Sequence, residues 1–219
     1  MIRIADFITK AAFQGPERPA VSFGDLTLTW AQLEHRCWSA AGAFRKLGIG
    51  KGDRIAYLGH NSHRQFEAYV WPTRVGAILV PLNYRLSIAE LIECVADCMP
   101  KVLVVDRHFV TEARAIADAC SCIKTLVFAD DTAVPEGMGG YEQLLEAAAD
   151  TEPETLEPFA SQDSDTIILF YTSGSEGKPK GVMLSHAGLA INVLGQAVPF
   201  NWSTDDVFLL SGPMFHLGA

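Results

Sequence analysis

Four consecutive apolar residues, Val102-Leu103-Val104-Val105, constrain this chain more than any other feature. A run of this kind leaves no polar position to face water. It fits a strand covered on both sides, as in a parallel sheet layered between helices. Comparable strand patterns are Arg54-Ile55-Ala56-Tyr57-Leu58, Ala77-Ile78-Leu79-Val80-Pro81 and Thr125-Leu126-Val127-Phe128. Helical patterns alternate with them. Asn61 or Ser62 caps a helix running to about Val75. Ser87 and Glu90 form a capping box for a second, which ends near Cys98 before Pro100. A third covers about Val110–Ala119. This alternation predicts an α/β fold: a largely parallel sheet with helices on both faces.

The flanks add smaller elements. Ile4–Phe13 has apolar residues at helical spacing, and Val21–Phe23 with Leu26–Leu28 predicts a hairpin across Gly24-Asp25. Thr29 and Gln32 form a capping box for a helix that Gly48 stops. Asp130–Gly140 and Asp150–Asp163 read as acidic loops around a short helix, Tyr141–Ala148.

The 219 residues suit one or two domains, and 49% hydrophobic with 20% charged residues is a globular composition. The net charge of −9 argues against a nucleic-acid partner, which needs a basic face. It leaves ATP open, because one loop can bind phosphates on an acidic protein. No basic-then-apolar leader opens the chain, and no apolar run nears the ~18 residues of a membrane span. A cytoplasmic protein is expected. The five cysteines lack metal-site spacing and read as small buried thiols.

The chemistry concentrates near the far end. The apolar strand Asp165–Phe170 runs into Tyr171-Thr172-Ser173-Gly174-Ser175-Glu176-Gly177-Lys178-Pro179-Lys180-Gly181-Val182. Glycines let backbone N–H groups turn toward phosphates, hydroxyls donate to phosphate oxygens or ligate Mg²⁺, and lysines add positive charge. The spacing fails the common G-x-x-x-x-G-K-[ST] loop, since Pro179 follows Lys178. By residue types alone, a surface turn is the competing reading. Its place at the end of a buried strand favours a ligand, because ligands sit at the C-terminal ends of strands in α/β sheets.

Tyr171–Val182 resembles the phosphate-loop signature Y-T-S-G-[ST]-T-G-x-P-K-G-V of the adenylate-forming (AMP-binding) enzymes. Three weaker matches follow the family's order: Leu28–Leu33, Gly76–Asn83, and Pro213-Met214-Phe215-His216-Leu217-Gly218, which resembles a segment bordering the acyl pocket. The resemblance covers about Ile4 to the last residue and leans toward the acyl-CoA synthetase branch. It implies a ligase that joins a carboxylate to AMP from ATP and then to coenzyme A, with a fatty or aromatic acid as substrate. It implies that Thr172, Ser173, Gly174, Ser175, Glu176, Gly177, Lys178 and Lys180 bind the ATP phosphates. Mg²⁺ would be held near Thr172 and Glu176, and the acid near Phe215, His216 and Gly218. Glu176 stands where most members have Thr; either it points away or it helps hold the metal.

The resemblance also implies an N-terminal part of the family's large domain. About 50–200 would be its main α/β subdomain, with 1–50 and 201–219 parts of a second. The adenine-binding segment, the ribose-binding aspartate and the C-terminal domain with its catalytic lysine have no counterpart in these residues. No residue here takes that lysine's role. The expected partners are a carboxylate, ATP, coenzyme A and the remainder of the same chain. A catalytically inert binding or regulatory module is the alternative, as is an adenylation domain of a peptide synthetase.

Overall fold

Along strand β3 (Arg54–Leu58), Ile55 and Tyr57 join one buried cluster while Ala56 and Leu58 join another, and all four are fully buried. Alternating side chains therefore feed two cores, one on each side of a sheet. The computed structural model describes residues 3–151, 161–172 and 179–216. In chain order its other strands are β1 (Pro19–Phe23), β2 (Leu26–Thr29), β4 (Ile78–Pro81), β5 (Val102–Val105), β6 (Thr125–Phe128), β7 (Gly139–Gly140), β8 (Thr166–Thr172) and β9 (Lys180–Ser185). The helices are α1 (Ile4–Gln14), α2 (Trp30–Lys46), α3 (His63–Ala68), α4 (Trp71–Arg74), α5 (Ile88–Cys98), α6 (Val110–Ala119), α7 (Tyr141–Glu146) and α8 (His186–Ala197).

The main sheet has the order β7-β6-β5-β3-β4-β8-β9. Every neighbouring pair is parallel except β8 with β9. The expected α/β class is therefore observed. All four residues of β5 are buried, as its unbroken apolar run predicts. Each such side chain contributes roughly 1.5–3 kcal/mol when fully buried.

One core holds Leu33, Cys37 and Phe44 of α2 with Trp71 of α4 against Ile55, Tyr57 and Leu79. The other holds Leu91, Cys94 and Val95 of α5 with Ala113 and Ile116 of α6 against Ala56, Leu58 and Leu103. Four cysteines are buried and Cys122 is half-buried; burial pushes the Cys94 and Cys98 thiols up to about 11 and 12. The segment 1–50, grouped with 201–219 in the expectation, contributes α1 and α2 to the first core. It also touches 201–219, because Arg18 donates to the Thr204 carbonyl and pairs with Asp205 at 3.0 Å.

Both capping boxes form. Thr29 accepts from the Gln32 N–H at 3.3 Å, and Ser87 accepts from Glu90 at 3.3 Å. Gly48 follows α2 with φ +81°, a conformation open to glycine and costly for other residues.

The helix expected to reach Val75 is instead two short ones. Ser62 caps α3, which ends at Ala68, and Pro72 lies in the first turn of α4. Proline has no N–H to donate to the Ala68 carbonyl, and its ring crowds that carbonyl. Helix α8 was not legible in the sequence. Gly188, Asn192 and Gly195 dilute its propensity, and the Ser185 cap on Gly188 N–H at 3.2 Å starts it. Among the described residues no helix is long and apolar enough to cross a membrane.

Candidate functional site

Strands β8 and β9 form an antiparallel ribbon at one edge of the parallel sheet, with Thr172 opposite Lys180 and Tyr171 opposite Gly181. Because β8 runs parallel to β4, its last residues reach the C-terminal edge of the sheet. Thr172 and Lys180 are both exposed there. The Thr172 hydroxyl makes one long contact, 3.5 Å, to the Lys180 carbonyl, and so can turn outward. Ser173, Gly174, Ser175, Glu176, Gly177 and Lys178 lie outside the described residues, as does Gly218.

Below this end, the Tyr171 hydroxyl donates to Asp97 in the last turn of α5. Burial, the Asp97 bond and the neighbouring Cys98 push the Tyr171 hydroxyl far above its ordinary value, so it stays protonated. A side chain at Gly181 would meet Leu169 at 2.9 Å and the Tyr171 ring at 3.6 Å. The ribbon closes tightly because glycine stands there.

The same edge carries a second group of residues. The connection after β3 leads to α3 and the first core, whereas those after β4 and β5 lead to α5 and α6 in the second. Strands whose connections depart to opposite faces leave a crevice between them, the usual ligand position in such sheets. Asp106, just past β5, accepts from the His60 N–H at 2.7 Å and the His108 N–H at 2.8 Å, tying the β3 and β5 loops together. The His60 ring lies 4.7 Å from Tyr84 and 4.9 Å from His108. Tyr84 meets Phe215 edge-on, with centroids 4.7 Å apart.

Segment 212–216 lies against these loops. Asn61 donates to the Gly212 carbonyl at 2.7 Å and accepts from the Met214 N–H at 2.8 Å. The Tyr69 hydroxyl donates to the Met214 carbonyl. Met214 and Phe215 are buried and His216 is exposed.

The chain has relatives among known proteins. A family model described as AMP-binding enzyme matches residues 8–219. The chain belongs to the AMP-binding enzyme family. An indoleacetate–CoA ligase from Aromatoleum aromaticum is 36% identical over 218 residues, covering all of this chain and 42% of the relative. A feruloyl-CoA synthase from an Amycolatopsis species is 34% identical over 210 residues, 96% of this chain and 39% of the relative. Among solved structures, a Mycobacterium tuberculosis fatty acyl CoA synthetase superposes with a TM-score of 0.77 at 26% identity, covering 99% of this chain and 41% of that one. Apo MbtA from Mycobacterium smegmatis has a TM-score of 0.89 at 23% identity, over 99% of this chain and 40% of that one, which speaks for the fold alone. The chain thus spans about 40% of the length of the curated relatives it matches.

Set in this AMP-binding fold, Thr172 and Lys180 of the expected phosphate group are brought together at one strand end, and Phe215 and His216 lie at the same sheet edge. Phe215 faces Tyr84 and is buried, while His216 is exposed. Asn61, Tyr69, Tyr84 and Asp106 carry no motif; sequence reasoning found Asn61 only as a possible helix cap. Their positions after β3, β4 and β5 were the one available signal.

Proposed function

We propose that the protein carrying this chain activates a carboxylic acid with ATP and transfers the acyl group to coenzyme A. The carboxylate oxygen attacks the α-phosphorus and pyrophosphate leaves. The thiol of coenzyme A then attacks the acyl carbon and AMP leaves. The first step needs two anions held in line and their charge neutralised, rather than covalent help from the protein. The observation that carries this reading is the Tyr171–Val182 motif, whose described ends, Tyr171-Thr172 and Lys180–Val182, lie on a ribbon at the C-terminal edge of a parallel sheet, in a chain of the AMP-binding family.

In this reading Thr172, Ser173, Gly174, Ser175, Glu176, Gly177, Lys178 and Lys180 grip the β- and γ-phosphates. The Thr172 hydroxyl, on an exposed residue, and the Glu176 carboxylate suit Mg²⁺, a hard cation that prefers oxygen. That ion would neutralise phosphate charge beside them. Phe215, His216 and Gly218 border the acid. The ligases for indoleacetate and ferulate among the relatives support an aromatic acid, and the fatty-acid ligases a fatty one. Residues 1–219 alone are expected to give no ATP–pyrophosphate exchange, because they match only 42% of the length of the indoleacetate–CoA ligase.

A panel of aromatic and fatty acids, scored for acyl-CoA and AMP with the whole protein, tests the assignment. Acyl-CoA formation with one class and not the other names the substrate. No AMP release with any acid overturns the reading. Glu176→Thr is expected to alter the Mg²⁺ dependence of ATP affinity; an unchanged dependence removes Glu176 from the metal.

A further inference from the structure

We propose that Asn61, seconded by Tyr69, is the positioning residue for segment 212–216, and so sets where Phe215 and His216 stand at the crevice. The proposal rests on reading that segment as a border of the acid site.

Three side-chain hydrogen bonds converge on the backbone of Gly212 and Met214. Asn61 uses its amide N–H on the Gly212 carbonyl and its amide oxygen on the Met214 N–H, at 2.7 and 2.8 Å. A primary amide offers one donor and one acceptor side by side, the pair a neighbouring strand would present from its backbone. Asn61 thereby acts as a one-residue strand partner across about 150 positions of sequence. Tyr69 takes the remaining backbone group of Met214, its carbonyl. Both backbone groups of Met214 are therefore held by side chains that flank α3.

Helix capping does not account for Asn61. Ser62 performs it, accepting from the Gln65 N–H at 3.1 Å. Nor does the 212–216 segment belong to regular structure of its own. Residues 203–210 upstream form neither helix nor strand, and Arg18 ties Thr204 and Asp205 to the N-terminal segment. Phe215 then packs edge-on against Tyr84 and is buried, so a shift of the Met214 backbone must move that ring or the one it meets. The place matters as much as the bonds. Asn61 leaves from the end of β3, between the loops after β4 and β5, where connections part to opposite faces and ligands collect.

Hydrogen exchange of the 212–216 amides and steady-state kinetics of the whole protein test this, using Asn61→Ala, Asn61→Asp and Tyr69→Phe. Asn61→Ala removes both amide bonds and is expected to speed exchange in 212–216 by about tenfold, relative to amides in β3 and β5. Asn61→Asp keeps the acceptor at neutral pH but sets a carboxylate against the Gly212 carbonyl. Once protonated, its O–H can donate to that carbonyl, so protection should return as the pH falls from 7 toward 4. Asn61→Ala should show no such return. The KM for the carboxylate should rise about tenfold in Asn61→Ala while the KM for ATP stays within about twofold. Tyr69→Phe, which loses one bond, should show a smaller rise in exchange.

Unchanged exchange at 212–216 in Asn61→Ala overturns the clamp. Faster exchange with an unchanged carboxylate KM overturns the positioning role. Equal rises in both KM values point to general loosening and also overturn it. A wild-type protein that activates no acid defeats the proposed function instead, and the clamp is then judged on the exchange and its pH-dependent return in Asn61→Asp.

Discussion

Charged side chains are buried in matched groups on the face of the sheet covered by α2, α3 and α7, whereas large apolar side chains stand in water from α8 onward. On the first face Glu67 is 0% exposed and bonded to Arg36 and Tyr141. Arg36 also holds Glu142 through two bonds, at 2.8 and 2.9 Å, and Arg64 joins Glu142 to Asp131. On the other flank Val207, Phe208 and Leu209 are 96%, 75% and 84% exposed, and Ile191, Val198 and Phe200 of the preceding stretch are exposed as well. The first region pairs Glu67, Arg36, Glu142 and Arg64 with one another. A buried ion is tolerated only when its partner is in place. The second leaves its apolar side chains in water, where association could cover them.

The contrast is easiest to break at Glu67. Glu67→Ala leaves Arg36 half-paired and the Tyr141 hydroxyl without its acceptor. A loss of about 3–5 kcal/mol is expected in urea unfolding; a loss below about 1 kcal/mol would mean that water reaches the network.

The next largest effect is on pH dependence. Burial, then Arg64 and Arg36, push His63 from 6.5 down to about 4, and its Nδ1 has no hydrogen-bond partner among the described residues. A histidine held neutral in the fold contributes stability that is present above its unfolded value and lost as pH falls. Between pH 6.5 and 5 this amounts to on the order of 2 kcal/mol. His63→Gln should flatten that part of the stability curve. Further down, Glu142 adds a second acid limb. Burial works to raise its carboxyl, but Arg36 and Arg64 hold it at about 2, so its contribution is lost as pH falls from 4.5 toward 2. Glu67 works the other way. Burial raises it against Arg36 and Tyr141, so folding gains as that carboxyl protonates.

Smaller effects sharpen the comparison. Thr29→Ala and Ser87→Ala each remove a capping box and should cost about 1 kcal/mol, read by thermal or urea unfolding. Smallest of all, Val207→Ser and Leu209→Ser should change stability by no more than about 0.5 kcal/mol, while lowering concentration-dependent association in sedimentation. A large loss of stability there would show that the exposed flank belongs to the core after all.

Much of this was legible in the residues. Val102–Val105 announced a strand buried on both faces, and it is. Thr29 with Gln32 and Ser87 with Glu90 marked two helix starts, and both boxes form. These signals are local: a side chain three residues away either reaches the orphan N–H or does not. The two-residue strand β7 and the α3–α4 break were not legible. Gly139-Gly140 has no side chains to pattern, and the break follows from Pro72 inside a run that otherwise looks helical. Of the candidate site, the Tyr171–Val182 motif was visible as a contiguous string. The Asn61 clamp, the Tyr171–Asp97 bond and the His60–Tyr84–Phe215 contacts were not. Each joins residues at least 24 positions apart, and no spacing rule spans that distance.

By itself the sequence determined the layered parallel sheet, the order of its local elements and the loop chemistry suited to phosphate. Those depend on periodicity, caps and residue types that act over a few positions. Only the tertiary structure decided which strands are neighbours, and that Ser62 rather than Asn61 caps α3, freeing Asn61 for the Met214 backbone. It also decided that Glu67 is buried with its partners instead of solvated on a helix. The physical reason is common to all three. A hydrogen bond or ion pair between distant residues is worth making only once the sheet has brought them together and removed the water that would otherwise satisfy them.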